Sequence, residues 1–239
     1  GEANNSDENP SPKSLLIIDT ETTGLDHEID QCVEIGAILF DLSSRSVLAQ
    51  QSFLLPVESN NAEIINRIPS EVTRLEQPWR EGLSYFEKLV NVADVLVAHN
   101  ADFDRKWFGR APLPDLSKKQ WLCTMNDIFW PSERHLRARP SVRDLALAYE
   151  VPVWSAHRAL TDCIYLAEVF RRCDDLEILI SYGLEPRRLM RAQISFEQRH
   201  LAKEAGFTWN VPVPGAWARK LSKREEKLLS FPVTPLHSS

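Results

Sequence analysis

The sequence predicts an α/β fold in which helices flank a mixed β-sheet. Two observations carry the prediction: short apolar runs that lack a helical period, and amphipathic segments that alternate with them along residues 14–180. The 239 residues are 43% hydrophobic and 26% charged, as is typical of a globular chain that can bury a sizeable core. This length is compatible with one substantial domain and a small appendage.

Three successive strands are expected near the start of the chain. Residues 14–18 read SLLII, a run that suits a strand buried on both faces. Residues 32–41 and 47–57 are rich in β-branched and apolar side chains, and the turn DLSSRS between them favours antiparallel pairing. Residues 95–98, VLVA, predict a further short strand that ends in HNADFD.

Apolar stripes with a helical period predict the helices. Short helical pieces broken by two prolines occupy residues 62–79, and an amphipathic helix follows from Glu81. Ser141 is the expected N-cap of a helix through residue 148, and residues 157–173 predict another. The expected order of the domain is therefore β-β-β-α-β-α-α.

Three segments are expected along the chain. Residues 1–13 are polar and predict a disordered lead, and residues 14–180 form the main domain. A boundary is expected near residues 181–186. Residues 187–239 predict a small α+β module with a strand, a helix and two further strands in GFTWN and AWARKLS.

The charge and the cysteines limit the chemistry. A net charge of −6 excludes binding of nucleic acid through a globally basic surface. Such binding therefore needs a local source of positive charge, such as bound cations. The four cysteines lack C-x-x-C spacing, which argues against a zinc site and favours a reducing cytoplasm. No apolar run approaches the roughly 18 residues of a membrane span, and no signal peptide is expected at the N-terminus.

Acidic residues follow two predicted strands at the edge where α/β sheets bind ligands. Asp19 and Glu21 are two residues apart, which places both side chains on one face of an extended strand. By the same reasoning, Asp102 and Asp104 are expected together after the strand at residues 95–98. The sequence therefore brings several carboxylates to one edge of the sheet.

His157 and Asp162 are a further pair, five residues apart at the start of a helical pattern. Five helical steps turn about 500°, so the two side chains converge only if Asp162 lies in the first helical turn and His157 in the loop before it. Clustered carboxylates raise one another's pKa, a cost that bound divalent cations would offset. Oxygen ligands favour Mg²⁺ or Mn²⁺, and two such ions about 3.5 to 4 Å apart promote in-line attack on a phosphodiester. A neutral histidine can then take the proton of the attacking water.

Three motifs resemble those of the DEDDh 3′–5′ exonucleases, the family that includes the proofreading epsilon subunit of bacterial replicative DNA polymerase. They are DTETTGLD at residues 19–26, HNADFD at residues 99–104 and HRALTD at residues 157–162. The order and the separation of the three motifs also match those of the family, and the resemblance covers about residues 14–173. The resemblance implies a ribonuclease H-like fold and removal of nucleoside monophosphates from a 3′ end with two metal ions.

The resemblance implies a role for each matching residue. Asp19 would bridge both ions, Glu21 and Asp162 would complete the first site, and Asp104 would hold the second ion largely through water. His157 falls on the general base of the family.

The family pattern also implies contacts to the terminal nucleotide. The residues expected beside it are Thr22, Thr23, Leu25, Asn100 and Phe103. Leu25 would press against the base. One departure is Asn66, which stands where many relatives carry a histidine and therefore puts part of the substrate contact in doubt.

Each motif taken alone also has a structural explanation. An Asp-Thr-Glu after a strand is commonly a turn or a cap, and Asp162 is a first-turn carboxylate that the helix dipole favours. Asp26 and Asp102 are expected to be exposed loop acids, and His99 either contacts substrate or is structural. The joint occurrence of the motifs in order favours catalysis.

Two further segments have two interpretations. Residues 134–143, RHLRARPSVR, either approach a phosphate backbone or form a solvated loop. Trp209 and Trp217 are expected to form the core of the small module, with base stacking beside its basic residues as the alternative.

The chain is therefore predicted to be a Mg²⁺- or Mn²⁺-dependent 3′–5′ exonuclease that acts on single-stranded or frayed 3′ ends, with DNA preferred over RNA. An exoribonuclease shares every catalytic residue and is the nearest alternative. A catalytically silent nucleic-acid-binding module is the alternative from another class. A polymerase or another DNA-processing protein is a candidate partner.

Overall fold

The computed structural model describes residues 11–155 and 157–237. The strands are β1 Ser14–Thr22, β2 Cys32–Asp41, β3 Ser46–Leu54, β4 Val95–Ala98, β5 Trp121–Cys123, β6 Arg188–Ala192, β7 Thr208–Trp209, β8 Trp217–Leu221 and β9 Val233–Pro235. The α-helices are α1 Glu63–Asn66, α2 Ser70–Thr73, α3 Trp79–Val92, α4 Ala101–Arg105, α5 Val142–Ala148, α6 Ala159–Arg172, α7 Leu176–Gly183, α8 Arg199–Glu204 and α9 Lys223–Glu226. Most of the expected disordered lead, residues 1–10, lies outside the described residues.

The main sheet has the strand order β3-β2-β1-β4-β5. β1 pairs antiparallel with β2, and β2 pairs antiparallel with β3. β4 is parallel to both β1 and β5, so the sheet is mixed and the predicted α/β class is confirmed. Because β1, β4 and β5 run in the same direction, their carboxyl ends lie at one edge of the sheet.

The core lies on both faces of this sheet. Leu15 and Ile17 of β1 pack with the layer that contains α5 and α6, whereas Leu16 and Ile18 pack with the layer that contains α3. All four side chains are fully buried. The continuous apolar run therefore belongs to a strand covered on both sides, as expected.

The expected order of elements was incomplete. The three-residue strand β5 and the helices α4 and α7 were not predicted. α7 also extends into the segment where a boundary was expected, and β3 ends before the proline at which the predicted strand was to stop. The predicted N-cap Ser141 is confirmed, since its hydroxyl accepts a hydrogen bond from the Asp144 N–H at the start of α5.

A second sheet near the C-terminus has the order β7-β8-β6-β9. Its own small core includes Met190, Phe207, Leu221 and Phe231. Trp217 packs against this core, but Trp209 is 49% exposed. The expected core role is therefore wrong for Trp209, because α8 and the aromatic residues behind it already fill the space under the sheet.

Buried arginines join the second sheet to the main domain. Arg187 forms ion pairs with Glu225 and Asp127, and Arg219 donates to the carbonyl oxygen of Asn126 at 3.1 Å. The four cysteines are free and buried. None of the helices in the described residues has the length and apolar character that a membrane span requires.

Candidate active site

Three carboxylates converge at the carboxyl end of β1. One oxygen each of Asp19, Glu21 and Asp162 lies within 4.8 Å of the others. β1 stays extended through Thr22, which places Asp19 and Glu21 on the same face, as the spacing of two predicts. Asp162 reaches them from the facing helix α6.

The start of α6 explains the spacing in HRALTD. The helix begins at Ala159 with Arg158 as its N-cap, so Asp162 lies in the first turn. His157 lies in the loop just before it, with an exposed side chain and a left-handed backbone conformation, φ 63°. In this arrangement, two residues that are five positions apart in the sequence can reach the same site.

The backbones of β2 and α6 approach closely, and this contact determines how near α6 lies to the main sheet. A Cβ atom on Gly36 would lie 2.5 Å from the carbonyl carbon of Ala159 and 2.6 Å from the amide nitrogen of Leu160. These neighbours are backbone atoms, which cannot rotate away. Only glycine at this position allows the first turn of α6, and with it Asp162, to approach β1 this closely.

Glu34 fixes the loop that carries His157. Its carboxylate accepts hydrogen bonds from Arg158 Nε at 3.0 Å, from Arg158 Nη2 at 2.6 Å and from the Ala159 N–H at 2.9 Å. Glu34 also pairs directly with Glu21 across the β1–β2 register. Glu34 was not predicted as a site residue, although a single carboxylate in the otherwise apolar run CVEIGAILF is a signal for it.

Asp104 lies on a helix, which corrects the expectation that HNADFD continues a strand. α4 begins directly after β4, with Asn100 in the left-handed conformation at its N-cap, φ 71°. Two helical steps turn about 200°, so Asp102 is exposed while Asp104 is buried. The Asp104 carboxylate accepts hydrogen bonds from the Thr20 N–H at 3.1 Å and the Thr20 hydroxyl at 2.7 Å.

Burial and mutual repulsion raise the pKa of every carboxyl in the cluster. Burial is the main cause that raises the pKa of Asp19 well above its ordinary value, and the negative charges of the acidic neighbours add to it. The same two causes raise the pKa of Glu21 to about 9. Burial raises the pKa of Asp104 to about 7, against the opposing effect of the Thr20 hydrogen bonds. Burial and the Glu34 charge raise the pKa of Asp162 to about 7, although a backbone hydrogen bond from His157 lowers it.

The donor set fits a divalent cation. The grouped ligand atoms are all carboxylate oxygens, which suit hard cations. Oδ2 of Asp19 is buried without a hydrogen-bond partner in the part of the chain that the structure describes. A buried carboxylate oxygen of this kind is costly unless a cation or solvent satisfies it.

The loop after β1 presents Leu25 to solvent. The Thr23 hydroxyl and backbone pair with Gln31, and the Asp26 N–H donates to the Asp30 carboxylate at 2.9 Å. These bonds close the loop, at whose tip Leu25 is 84% exposed. Thr22 and Thr23, by contrast, are buried at its base.

The remaining predicted contact residues occupy different environments. Asn100 is the N-cap of α4 and Phe103 lies in its first turn, both are half-buried, and the Phe103 ring packs edge-on against Trp107. Asn66 is buried, donates to the Thr22 carbonyl oxygen at 3.1 Å and accepts from the Ile68 N–H at 3.2 Å. The residue that departs from the family pattern therefore joins the α1 segment to the end of β1.

His99 has a structural environment. Its Nε2 atom lies 2.6 Å from the Pro140 carbonyl oxygen and its Nδ1 atom lies 2.8 Å from the Thr124 hydroxyl. Because a carbonyl oxygen only accepts, Nε2 donates and Nδ1 accepts. Burial lowers the pKa of His99 to about 4, so the ring stays neutral and both nitrogens are used inside the protein. This favours the structural interpretation of His99.

Two arginines of the basic stretch at residues 134–143 contact other parts of the protein. Arg134 donates to the Ala148 carbonyl oxygen and lies over the Tyr149 ring. Arg139 donates to the Asn126 side chain at 2.9 Å and to the Thr208 hydroxyl at 3.4 Å. Arg139 therefore connects the segment after β5 with the C-terminal sheet, whereas the Arg137 side chain is 71% exposed and extends into solvent.

Comparison with known proteins agrees with this geometry. A family model described as exonuclease matches residues 16–170, and a second model, described as a domain of unknown function, matches residues 188–236. The chain therefore belongs to the exonuclease family and is a 3′–5′ exonuclease. The predicted resemblance and the ribonuclease H-like fold are confirmed.

Individual relatives cover different shares of the chain. The DNA polymerase III subunit epsilon of Treponema pallidum is 35% identical over 167 residues, which are 66% of this chain and 74% of that protein. The DNA polymerase III PolC-type of Thermotoga petrophila is 26% identical over 66% of this chain, which spans only 12% of that protein. E. coli exonuclease I in complex with a dT13 oligonucleotide shares the fold, with a TM-score of 0.57 and 15% identity over 76% of this chain and 48% of its own.

Proposed function

We propose that the protein removes nucleoside monophosphates from the 3′ ends of single-stranded or frayed DNA in a reaction that depends on Mg²⁺ or Mn²⁺. The convergence of Asp19, Glu21 and Asp162 carries this proposal, because three oxygen ligands at one strand end have the donor chemistry that phosphodiester hydrolysis requires. The similarity to a polymerase III epsilon subunit supports DNA as the substrate.

The carboxylates would hold two ions. Asp19, Glu21 and Asp162 would hold the first, and Asp104, whose carboxylate lies outside that group and already binds Thr20, would reach the second through water. When bound, the cations supply the positive charge that polarises the scissile phosphate and the attacking water. The raised pKa values of the cluster then fall, because the ionised carboxylates gain a partner of opposite charge.

His157 would accept the proton of the attacking water. Its exposed ring lies in the loop that precedes α6, and the Glu34–Arg158 pair fixes that loop beside Asp162. Exposure lets the ring pass the proton on to solvent, so that the base is regenerated after each cleavage.

The loop after β1 would hold the terminal nucleotide. Leu25 at the loop tip would pack on the base, while Thr22 and Thr23 support the loop from below. Asn100 and Phe103, at the start of α4, would line the opposite side of the same pocket. Because Asn66 is buried against Thr22, its effect on the nucleotide would act through this loop.

A time course with labelled oligonucleotides tests the proposal. Single-stranded DNA and the matching RNA, each labelled at the 5′ end, are incubated with Mg²⁺, Mn²⁺ or EDTA. We expect a ladder that shortens from the 3′ end only with metal, and faster on DNA than on RNA. Faster cleavage of RNA would make the protein an exoribonuclease, and binding without cleavage would support a silent module.

A matched pair of variants tests the assignment of the acids. Asp104→Asn should abolish the metal-dependent ladder, because it removes a ligand charge from the cluster. Asp102→Asn makes the same chemical change two residues away on an exposed face of α4 and should leave the ladder unchanged. Equal activity in both variants would contradict the role of Asp104.

The context of this activity is also part of the proposal. Residues 14–180 would form the catalytic domain and residues 187–239 an accessory module, with residues 1–13 as a lead. A polymerase or another DNA-processing protein would be the protein partner, as the similarity to an epsilon subunit supports. Four free, buried cysteines are consistent with a reducing cytoplasm.

A further inference from the structure

A cavity of about 470 Å³ lies on the C-terminal sheet, outside the acidic cluster. Its walls include Arg191, Phe196, Arg199, Trp209 and Trp217. Arginine and aromatic side chains together are the composition that binds single-stranded nucleic acid, because bases stack on the rings and phosphates pair with the guanidinium groups. The cavity therefore needs an explanation beyond the packing of the module.

Its aromatic rings are exposed although the module has a complete core without two of them. Phe196 is 73% exposed and Trp209 is 49% exposed, and neither belongs to the apolar core of this sheet. Trp209 and Trp217 lie side by side with ring centroids 5.5 Å apart. The two rings are tilted by 48° and Trp217 is partly buried, so Trp209 is the ring of this pair that is exposed for stacking on a flat ligand such as a nucleobase.

The arginines of the cavity differ in their ion pairs from other arginines of the module. Arg188 and Arg224 form ion pairs with Glu226 and Glu185. No carboxylate lies within ion-pair distance of Arg191 or Arg199 among the residues that the structure describes. Arg199 lies over the Phe196 ring and donates to the Phe196 carbonyl oxygen at 2.8 Å, and Arg191 donates to the Gly215 carbonyl oxygen at 3.5 Å. These neutral partners leave the charge of both arginines uncompensated, which makes a local site for an anion on a chain with a net charge of −6.

The cavity is connected to the edge of the sheet that bears the carboxylates. β5 lies two strands from β1, about 10 Å away, and the residues after it therefore lie at the same edge. Arg139 joins Asn126, just after β5, to Thr208 of β7. Arg139 therefore links the segment after β5 to β7, whose second residue, Trp209, lines the cavity.

We propose that this cavity binds bases and phosphates on the 5′ side of the same DNA single strand whose 3′ end lies at the carboxylates. The inference rests on the proposed function and gives the C-terminal module a role in holding the strand. A long strand would contact both sites, whereas a very short one would contact only the carboxylates.

Binding in EDTA tests the inference separately from catalysis. The full chain is titrated with oligothymidylates of about 20 and about 4 nucleotides, labelled with a fluorophore, at several salt concentrations. Trp209→Ala should weaken binding of the long strand about fivefold to 150-fold, the range for one lost base-stacking contact, and Trp209→Phe should retain most of the affinity. The short strand should bind weakly to the wild type and to both variants, because without a cation the carboxylates repel its phosphates.

The arginines give a second readout. The double variant Arg191→Gln/Arg199→Gln should reduce the slope of log K against log salt by about 1.4, as expected for two lost phosphate contacts to a single strand. Arg188→Gln, on the same strand β6 but already paired with Glu226, is the matched control and should leave the slope unchanged. Unchanged long-strand affinity and slope in the cavity variants would overturn the inference and favour a protein partner for this surface.

Hydrolysis of a small substrate separates the two proposals. With Mn²⁺, all cavity variants should cleave the p-nitrophenyl ester of thymidine 5′-monophosphate at the wild-type rate, because this ester is too short to reach the cavity. A wild-type protein that binds the long strand through Trp209 but cleaves neither ester nor DNA would contradict the proposed function alone. Cavity variants that lose ester hydrolysis as well would show a general defect and overturn the specific role of the cavity.

Discussion

His157 is the residue on which the proposed chemistry depends most directly, and because its side chain is exposed, it can be replaced with little effect on folding. We expect His157→Ala to lower kcat by about 10² to 10⁴, the usual contribution of a positioned base, with little change in KM. The exposed side chain contributes little to packing, so the melting temperature should not change. Steady-state kinetics and thermal unfolding of the same preparation measure both quantities, and an effect confined to KM would remove His157 from this role.

Glu34 is a positioning residue with a distinct signature. Glu34→Gln should lower kcat about tenfold or more, because the loop before α6 loses its charged pair with Arg158. The Glu34 charge raises the pKa of Glu21 and Asp162 but also attracts a cation, so its removal should change the cation affinity little. Kinetics as a function of Mn²⁺ concentration separate the two effects. A weaker cation affinity with an unchanged kcat at saturation would contradict this assignment.

Individual residues differ in how far the sequence predicts them. The spacing of two on an extended strand correctly placed Asp19 and Glu21 on one face. The same rule failed for Asp102 and Asp104, because the chain turns into α4 immediately after β4. Glu34 escaped prediction since its partner Arg158 lies 124 residues away in the chain, and no local pattern encodes such a contact.

At the scale of elements, the contact between β2 and the start of α6 determines the shape of the cluster. Gly36→Ala introduces a methyl group 2.5 Å from backbone atoms of Ala159. We expect a loss of about 1 to 3 kcal/mol in the free energy of unfolding, as in other overpacked cores, together with a lower kcat because α6 and Asp162 move outward. Chemical denaturation and hydrolysis of the small ester measure the two consequences.

Gly82→Ala is a suitable control for this substitution. The nearest atoms to a Cβ at Gly82 belong to the side chain of Phe53, at 3.0 Å, and α3 packs on the face of the main sheet opposite to α6. This contact is longer than the 2.5 Å contact at Gly36 and involves no backbone atom, and alanine favours the helical conformation. The variant should therefore retain activity. Equal losses of activity in both variants would show that the effect at Gly36 is not specific to the position of α6.

The longer elements were predictable and the shortest were not. Apolar patterns gave β1 to β4, α3 and α6 because each buries a continuous stripe or run of side chains. β5 has three residues and α4 has five, which is too few for any period to show. Their structure depends on pairing with β4 and on burial of Asp104, both of which are tertiary contacts.

At the scale of the whole molecule, catalysis and stability are linked through protonation of the cluster. In the folded chain the pKa of Asp104 and of Asp162 is about 7 and that of Glu21 is about 9, against ordinary values near 4. Between about pH 4 and pH 9 the folded state therefore binds more protons than the unfolded state. The stability that these groups contribute is fully present below about pH 4 and is lost as the pH rises through 7 and then 9.

A divalent cation should reverse this loss, because it binds the ionised carboxylates. In EDTA we expect the melting temperature to fall between pH 6 and pH 8. Mn²⁺ at about 100 times its Kd should then raise it by about 5 to 10 °C at pH 8, and by clearly less at pH 6, where protons compete with the cation. Asp162→Asn, which removes one ligand, should reduce the gain at pH 8, whereas Asp102→Asn should not. A Mn²⁺-induced gain that is equal at the two pH values would mean that the cation does not bind at the coupled carboxylates.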